Sequence, residues 1–475
     1  MKMKLYKLFF VLVFIFSANA YSQSGGSIGM SDARSASMGK TSVTSSLGLR
    51  ALGNNPANLF NDSLKHVEFL VPLPLPSISS SIGTNFMTVD EYNYFFGYKT
   101  TDANGKTIGR YLIDSDKSRL KNLFADGGAI TGDVQVQFFA IAIKPNNDFG
   151  TIAFSMGDVI SSNVTFPKGI IDIGLEGNLL NQVYNFNDTK LKSWWLRKYS
   201  FSYARSLNIL PIFQKISIGV SLNIIQGFAY AGFDRVNTQL TTGDGNIITG
   251  KGDFLAHAAF SPDFNVKYDF DKSTTVKKDF KFSPFPTPAG NGFGFDLGVN
   301  AKLNDVWSFG FAITDIGSIT WNKNVAEYSS NMPIYLDDLT NQSQRDSLVK
   351  ALTGKAGGKY ISEFSTQLAT ALRLGASMNI NNKLLLAFDY NQGFNDQPRN
   401  STKPRFSIGA DWVFGFFALR TGFSFVGFDK FNWGMGCGFD FGFLEMNLGT
   451  PDFQSVVSPN TAKRITFAFD SRWKF

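Results

Sequence analysis

Few side chains in this sequence could make or break bonds. There is one cysteine, Cys437, and there are two histidines, His66 and His257. A disulfide needs a second thiol, and a structural zinc site needs about four sulfur or nitrogen ligands. The sequence therefore leads us to expect no metal and no cofactor. Cys437 sits in a run of Trp433, Met435, Cys437, Phe439 and Phe441, alternating mainly with glycine, and reads as an inert apolar strand residue. No phosphate loop is present, the Gly-x-Ser-x-Gly match at Gly25 to Gly29 lies in a small polar stretch that does not read as a strand, and Gly434, Gly436 and Gly438 are followed by no helix that could make a nucleotide fingerprint. A barrel-type acyl hydrolase would need a serine two residues after a histidine, and neither histidine has one. Asp337-Asp338 could in principle serve calcium or acid–base chemistry, but such pairs are more often solvated loops or helix caps. We expect no catalytic residues and no enzyme.

Bulk properties point away from nucleic acid and toward a membrane. The formal charge of +7 includes Lys2, Lys4 and Lys7 near the start, which leaves a scattered +4 over the rest. Mean hydropathy is −0.06, with 43% hydrophobic residues. Strands that alternate lipid-facing with lumen-facing residues give no hydropathy peak, so this value is compatible with a membrane barrel. The 49 phenylalanines, 45 glycines and only 16 prolines suit many strands with aromatic outer faces.

The first twenty residues have the charge and length of a secretory leader. Three lysines precede an apolar run from Leu8 to Phe16, and Ala18-Asn19-Ala20 supplies the small residues of a cleavage site. The run is too short to span a bilayer as a helix. The mature chain is expected to begin at Tyr21.

Strand patterning dominates the remainder. Trp307, Phe309, Phe311 and Ile313 alternate with Ser308, Gly310 and Ala312, which predicts a lipid face and a lumen face. The last residues do the same: Ile465, Phe467, Phe469, Trp473 and Phe475 are separated by Thr466, Ala468, Asp470, Arg472 and Lys474, with Ser471 interrupting. Pro72, Pro74 and Pro76 would bend or delay the first strand. About fourteen strands are expected from residue 61 onward. Asn304-Asp305 and Asn381-Asn382 mark short turns, and long insertions are expected near 92–128, 272–288 and 321–365. Leu175, Leu179, Leu180 and Val183 suggest a short amphipathic helix, and Phe254 to Phe270 reads as one strand broken at Pro262.

Two stretches carry a family resemblance. The terminal aromatic strand is similar to the assembly signal of bacterial outer-membrane β-barrels, which implicates Phe467, Phe469, Trp473 and Phe475. The small-residue stretch around Ser37-Met38-Gly39, followed by Asn54-Asn55-Pro56-Ala57, resembles the N-terminal hatch of FadL-like and PorV-type barrels. The resemblance implies an all-β antiparallel transmembrane barrel of about 14 strands, with residues 21–60 as a hatch inside the lumen and residues 61–475 as the wall. It also implies a Gram-negative outer membrane, in a branch found in Bacteroidota, with lipopolysaccharide around the chain and the barrel assembly machinery as a partner. The implied function is passive passage of hydrophobic small molecules. A PorV-like accessory or scaffold role beside secretion-system components is the alternative. A pocket lined by phenylalanine and leucine beside the hatch would favour the channel.

Overall fold

The computed structural model describes residues 32–61, 66–74, 76–97, 99–102, 105–125, 127–207, 210–268, 270, 283–338, 341–353, 358–425 and 431–475. The expected leader, with Ala18 and Ala20, and the start of the 21–60 segment lie outside them.

Fourteen antiparallel strand positions close into a barrel. The first strand is β1 (Val67–Leu70, resumed at Ser77–Thr84), followed by β2 (Gly128–Asn146), β3 (Gly150–Phe166), β4 (Lys190–Leu207) and β5 (Lys215–Val236). Next come β6 (Gly290–Lys302), β7 (Trp307–Trp321), β8 (Ala371–Ile380), β9 (Leu384–Gly393) and β10 (Arg405–Phe414). The wall ends with β11 (Phe417–Phe425), β12 (Phe431–Asp440), β13 (Leu444–Thr450) and β14 (Arg464–Lys474). Closure is direct: β14 pairs with both parts of β1. Val67 N donates to Phe475 O at 2.9 Å, and Phe475 N donates back to Val67 O at 2.8 Å. A closed ladder leaves no backbone edge, which is what a strand-built structure in hydrocarbon requires.

Sequence parity sets the two faces. On β7, Phe309 and Phe311 point outward and are 44% and 42% exposed, while Gly310 and Ala312 are buried. On β14, Ile465 and Phe467 are exposed and Thr466, Ala468, Asp470 and Arg472 are buried. Large apolar side chains recur on the outer face of β5 (Ile218, Val220, Leu222, Ile224) and of β6 (Phe293, Phe295, Leu297, Val299). Around the short-turn end, Phe416 packs on Phe441, Phe443 on Trp473 and Trp473 on Phe475. Such aromatics mark a membrane interface. The protein is a membrane-spanning β-barrel. None of the described helices is long and apolar enough to cross a bilayer.

The prolines act on β1 as their missing donors require. Leu70 pairs with Ala140 and Ser77 with Gln137, so the register advances seven positions on β1 against three on β2. The opposite neighbour shows the same gap, between Trp473 and Phe469. The wall ladder is therefore broken here, and a second interruption lies on β7, between the Thr314–Ala371 and Ser318–Gln367 pairs.

The two ends of the barrel differ. Short turns join β6 to β7 and β8 to β9, the latter with Asn381 and Asn382 in the left-handed conformation that asparagine tolerates. The other end carries the long insertions, and two of them differ from expectation. The insertion expected at 272–288 begins at 237, because Ile248–Phe260 is not a wall strand. It pairs with the top of β5 and, along its length, with Val325–Leu336, extending the sheet beyond the barrel. There His257 hydrogen-bonds to Asp234, which raises its pKa above the usual histidine value although partial burial opposes this. The helix expected through Val183 spans Lys168–Glu176 and stops at Gly177, whose φ of 75° ends the helical path. Leu179 and Leu180 are exposed beyond it. Asp337 and Asp338 are tied to Gln344 of the Gln342–Thr353 helix rather than to one another.

The facing assignment has a direct consequence. A charge facing lipid costs about 2–4 kcal/mol near the bilayer midplane. Phe311→Arg should sharply reduce the heat-modifiable folded band in membrane fractions, whereas Ala312→Ser should leave it near the wild-type level.

Candidate functional site

Residues 32–60 lie against the inward side of the wall and are almost wholly buried. Their small side chains make this approach possible. Asp32 caps a single helical turn, α1 (Ala33–Ser37), by accepting from Ser35 N at 2.7 Å. The chain then passes so close to β11 that a Cβ built on Gly422 would sit 2.2 Å from Met38 C. Gly422 must be glycine for this path to exist. Farther on, Asn55, which is 0% exposed, organises the turn predicted from Asn54 to Ala57. Its Oδ1 accepts from Ala57 N at 3.2 Å, and its Nδ2 donates to Val43 O at 3.0 Å and to Val299 O of β6 at 3.1 Å. Pro56 rests on Gly219 of β5, where a Cβ would approach to 2.3 Å.

The wall answers this segment with carboxylates. The segment's amides have no ladder partner, so they need acceptors from elsewhere. Asp470 of β14 accepts from Ala33 N at 2.9 Å, at the start of α1. Asp389 of β9 accepts from Ser42 N at 2.6 Å and Val43 N at 3.0 Å through one oxygen. Glu68 of β1 accepts from Leu49 N at 3.2 Å. Buried ion pairs join the same sites. Arg34 and Arg420 share Asp411 at 2.8 and 3.0 Å. Arg50 and Arg472 share Glu445, the latter at 2.7 Å. Removing one member of such a pair is costly because its partner stays buried and charged.

Beside the segment the lumen holds a cavity of about 100 Å³. Part of its lining is apolar: Leu52 of the segment, Val136 of β2, Val159 of β3, Trp194 and Leu196 of β4, Ile225 of β5, and Leu368. Interspersed on the same run of strands are the polar Ser77, Gln135, Gln137, Ser155 and Ser200. Ser77 is where β1 resumes and Gln137 is its register partner, so the cavity abuts the break in the wall. The ionised residues that line it are paired: Lys198 with Asp315, Arg399 with Asp133 at 2.9 Å, and Asp158 with Arg197 at 2.6 Å.

The expected site residues fall into two separate groups. Asn54, Asn55, Pro56 and Ala57 are inside the barrel, whereas Phe467, Phe469, Trp473 and Phe475 belong to the outer face of the closing strand. The cavity contains leucine but no phenylalanine, because parity sends phenylalanine to the lipid side. Sequence reading missed the inward Asp389, Asp411, Arg420 and Glu445, and gave no partner to Asp470 and Arg472, which it set on the charged face of the closing strand. The available signal was charge at the small-residue positions of otherwise apolar strands.

Asp389 offers a test of docking. Asp389→Leu would strand two buried amides, at about 1–3 kcal/mol each. Limited proteolysis should then cut within residues 40–60 in a barrel that remains heat-modifiable. Asp389→Asn, which keeps one acceptor oxygen, should be cut more slowly.

No curated protein matches the chain. Among solved structures it is similar to the Pseudomonas putida toluene transporter TodX, at 13% identity over 96% of this chain and 100% of that one, with a TM-score of 0.44. It is also similar to a Pseudomonas aeruginosa FadL homologue, at 13% identity over 95% and 100%, with a TM-score of 0.43. Both superpositions are loose, and the barrel rests on its own strand pairings. A family model described as "Family of unknown function (DUF5723)" matches residues 64–450, from the approach to β1 through the end of β13. The protein belongs to the DUF5723 family.

Proposed function

We propose that this barrel sits in a Gram-negative outer membrane and passes small hydrophobic molecules passively, with residues 21–60 serving as a hatch. The observation that carries the reading is the cavity between Leu52-Gly53 and the β1–β5 wall, beside the break that the prolines make in the β1 ladder. A solute entering from the long-loop end would meet the hatch, rest in the cavity and leave sideways through that break. The expected leader and the FadL-like hatch motif support the same compartment and role. In this reading the short turns and both barrel termini face the periplasm, and the long insertions face outward past lipopolysaccharide. Phe467, Phe469, Trp473 and Phe475 present the outer face that the barrel assembly machinery reads. No observation favours a scaffold role in secretion over passage. The chain's own residues act by shape and hydrogen bonding, and no bond is made or broken.

Uptake tests this. Cells of a Gram-negative host expressing the protein should take up trace radiolabelled benzyl alcohol faster than cells carrying an empty vector. Leu196→Trp, or Ser155→Phe on the neighbouring strand, should return uptake to the vector level while preserving the heat-modifiable band. Equal uptake by wild-type and vector cells would overturn the proposal.

A further inference from the structure

We infer that the cavity is selective, taking a neutral molecule of about one small ring that carries a hydroxyl, carbonyl or amide, in preference to a bare hydrocarbon or an ion. This rests on the channel reading above and narrows it. Size comes first. A cavity of about 100 Å³ is somewhat smaller than the ~150 Å³ apolar cavity that holds benzene in another protein. One small ring or a short chain is the limit.

Polarity decides the class. Trp194, Leu196, Ile225 and Leu368 give an apolar bed for a ring. Along the same and neighbouring strands lie the hydroxyls of Ser77, Ser155 and Ser200 and the amides of Gln135 and Gln137, all on residues that are at least nine-tenths buried. Ser200 Oγ donates to Asn223 Oδ1 at 2.6 Å, so its own lone pairs are presented as acceptors. Gln137 Nε2 donates to Phe139 O at 3.1 Å, which fixes the orientation of its amide. A hydrocarbon in this space would displace water from these groups and offer nothing in return. Sites built to hydrogen-bond discriminate strongly against analogues that lack the polar group.

Charge sets the third limit. Each lining ionised residue already faces an opposite charge: Lys198 with Asp315, Arg399 with Asp133, and Asp158 held by two bonds from Arg197 at 2.6 and 2.9 Å. An anion or cation entering would lose its hydration shell without gaining an uncompensated partner.

Ligand-observed fluorine NMR on the purified full-length chain in detergent provides the test, with para-fluorobenzyl alcohol, para-fluorotoluene and para-fluorobenzoate as probes. Folded Leu196→Trp protein serves as the blank for micelle partitioning. After subtraction, wild type should bind the alcohol about tenfold more tightly than either other probe, on the order of a lost polar contact. In Ser155→Ala/Gln137→Leu the alcohol-to-toluene ratio should fall to about one. A wild-type ratio of one, or tighter binding of the benzoate, would overturn the selectivity while leaving the channel reading intact. If no probe binds wild type above the blank, the cavity is not a binding site and both readings fail.

Discussion

Everything in this structure depends on one constraint: inside a bilayer the chain must satisfy its own backbone hydrogen bonds. Fourteen strands meet this by closing on themselves, with the last residue, Phe475, exchanging backbone hydrogen bonds with Val67. Closure then imposes parity. Every second residue must suit lipid, and the residue between must suit whatever fills the lumen. Phenylalanine is so abundant because it serves the first requirement, and glycine, serine and alanine because they serve the second.

The lumen poses the same problem in another form. Residues 32–60 enter it without a ladder of their own, so their amides and carbonyls take side-chain partners. Asp389, Asp470 and Glu68 accept from segment amides, and Asn55 joins the Asn-Pro turn to β6. Paired arginines and carboxylates occupy the remaining space and hold one another in register. These bonds fix the segment to strands on opposite sides of the barrel. Where they thin out, beside β1 and β2, a cavity remains, and there the prolines of β1 also break the wall ladder.

The wall was legible in the sequence because its signal is a simple period of two, repeated with little interruption. The alternation at Trp307 to Ile313 and at Ile465 to Phe475 assigned each face correctly. The placement of residues 32–60 in the lumen was legible only through resemblance, since small residues and one Asn-Pro turn do not specify what they pack on. Errors arose where tertiary pairing outweighed local pattern. Ile248–Phe260 has strand character but pairs with another insertion, and no periodicity distinguishes that from a wall strand. The cavity was not legible at all. Its lining comes from residues between Leu52 and Arg399 that only the closed barrel brings together.

The central claim is that the N-terminal segment fills a lumen that would otherwise conduct. Single-channel recording in planar bilayers tests it most directly, comparing the full mature chain with a refolded barrel lacking residues 22–57. The account predicts a much larger conductance for the shortened barrel, reduced again when the 22–57 peptide is added back. An unchanged, closed conductance in the folded, shortened barrel would contradict it and assign the obstruction to the long insertions.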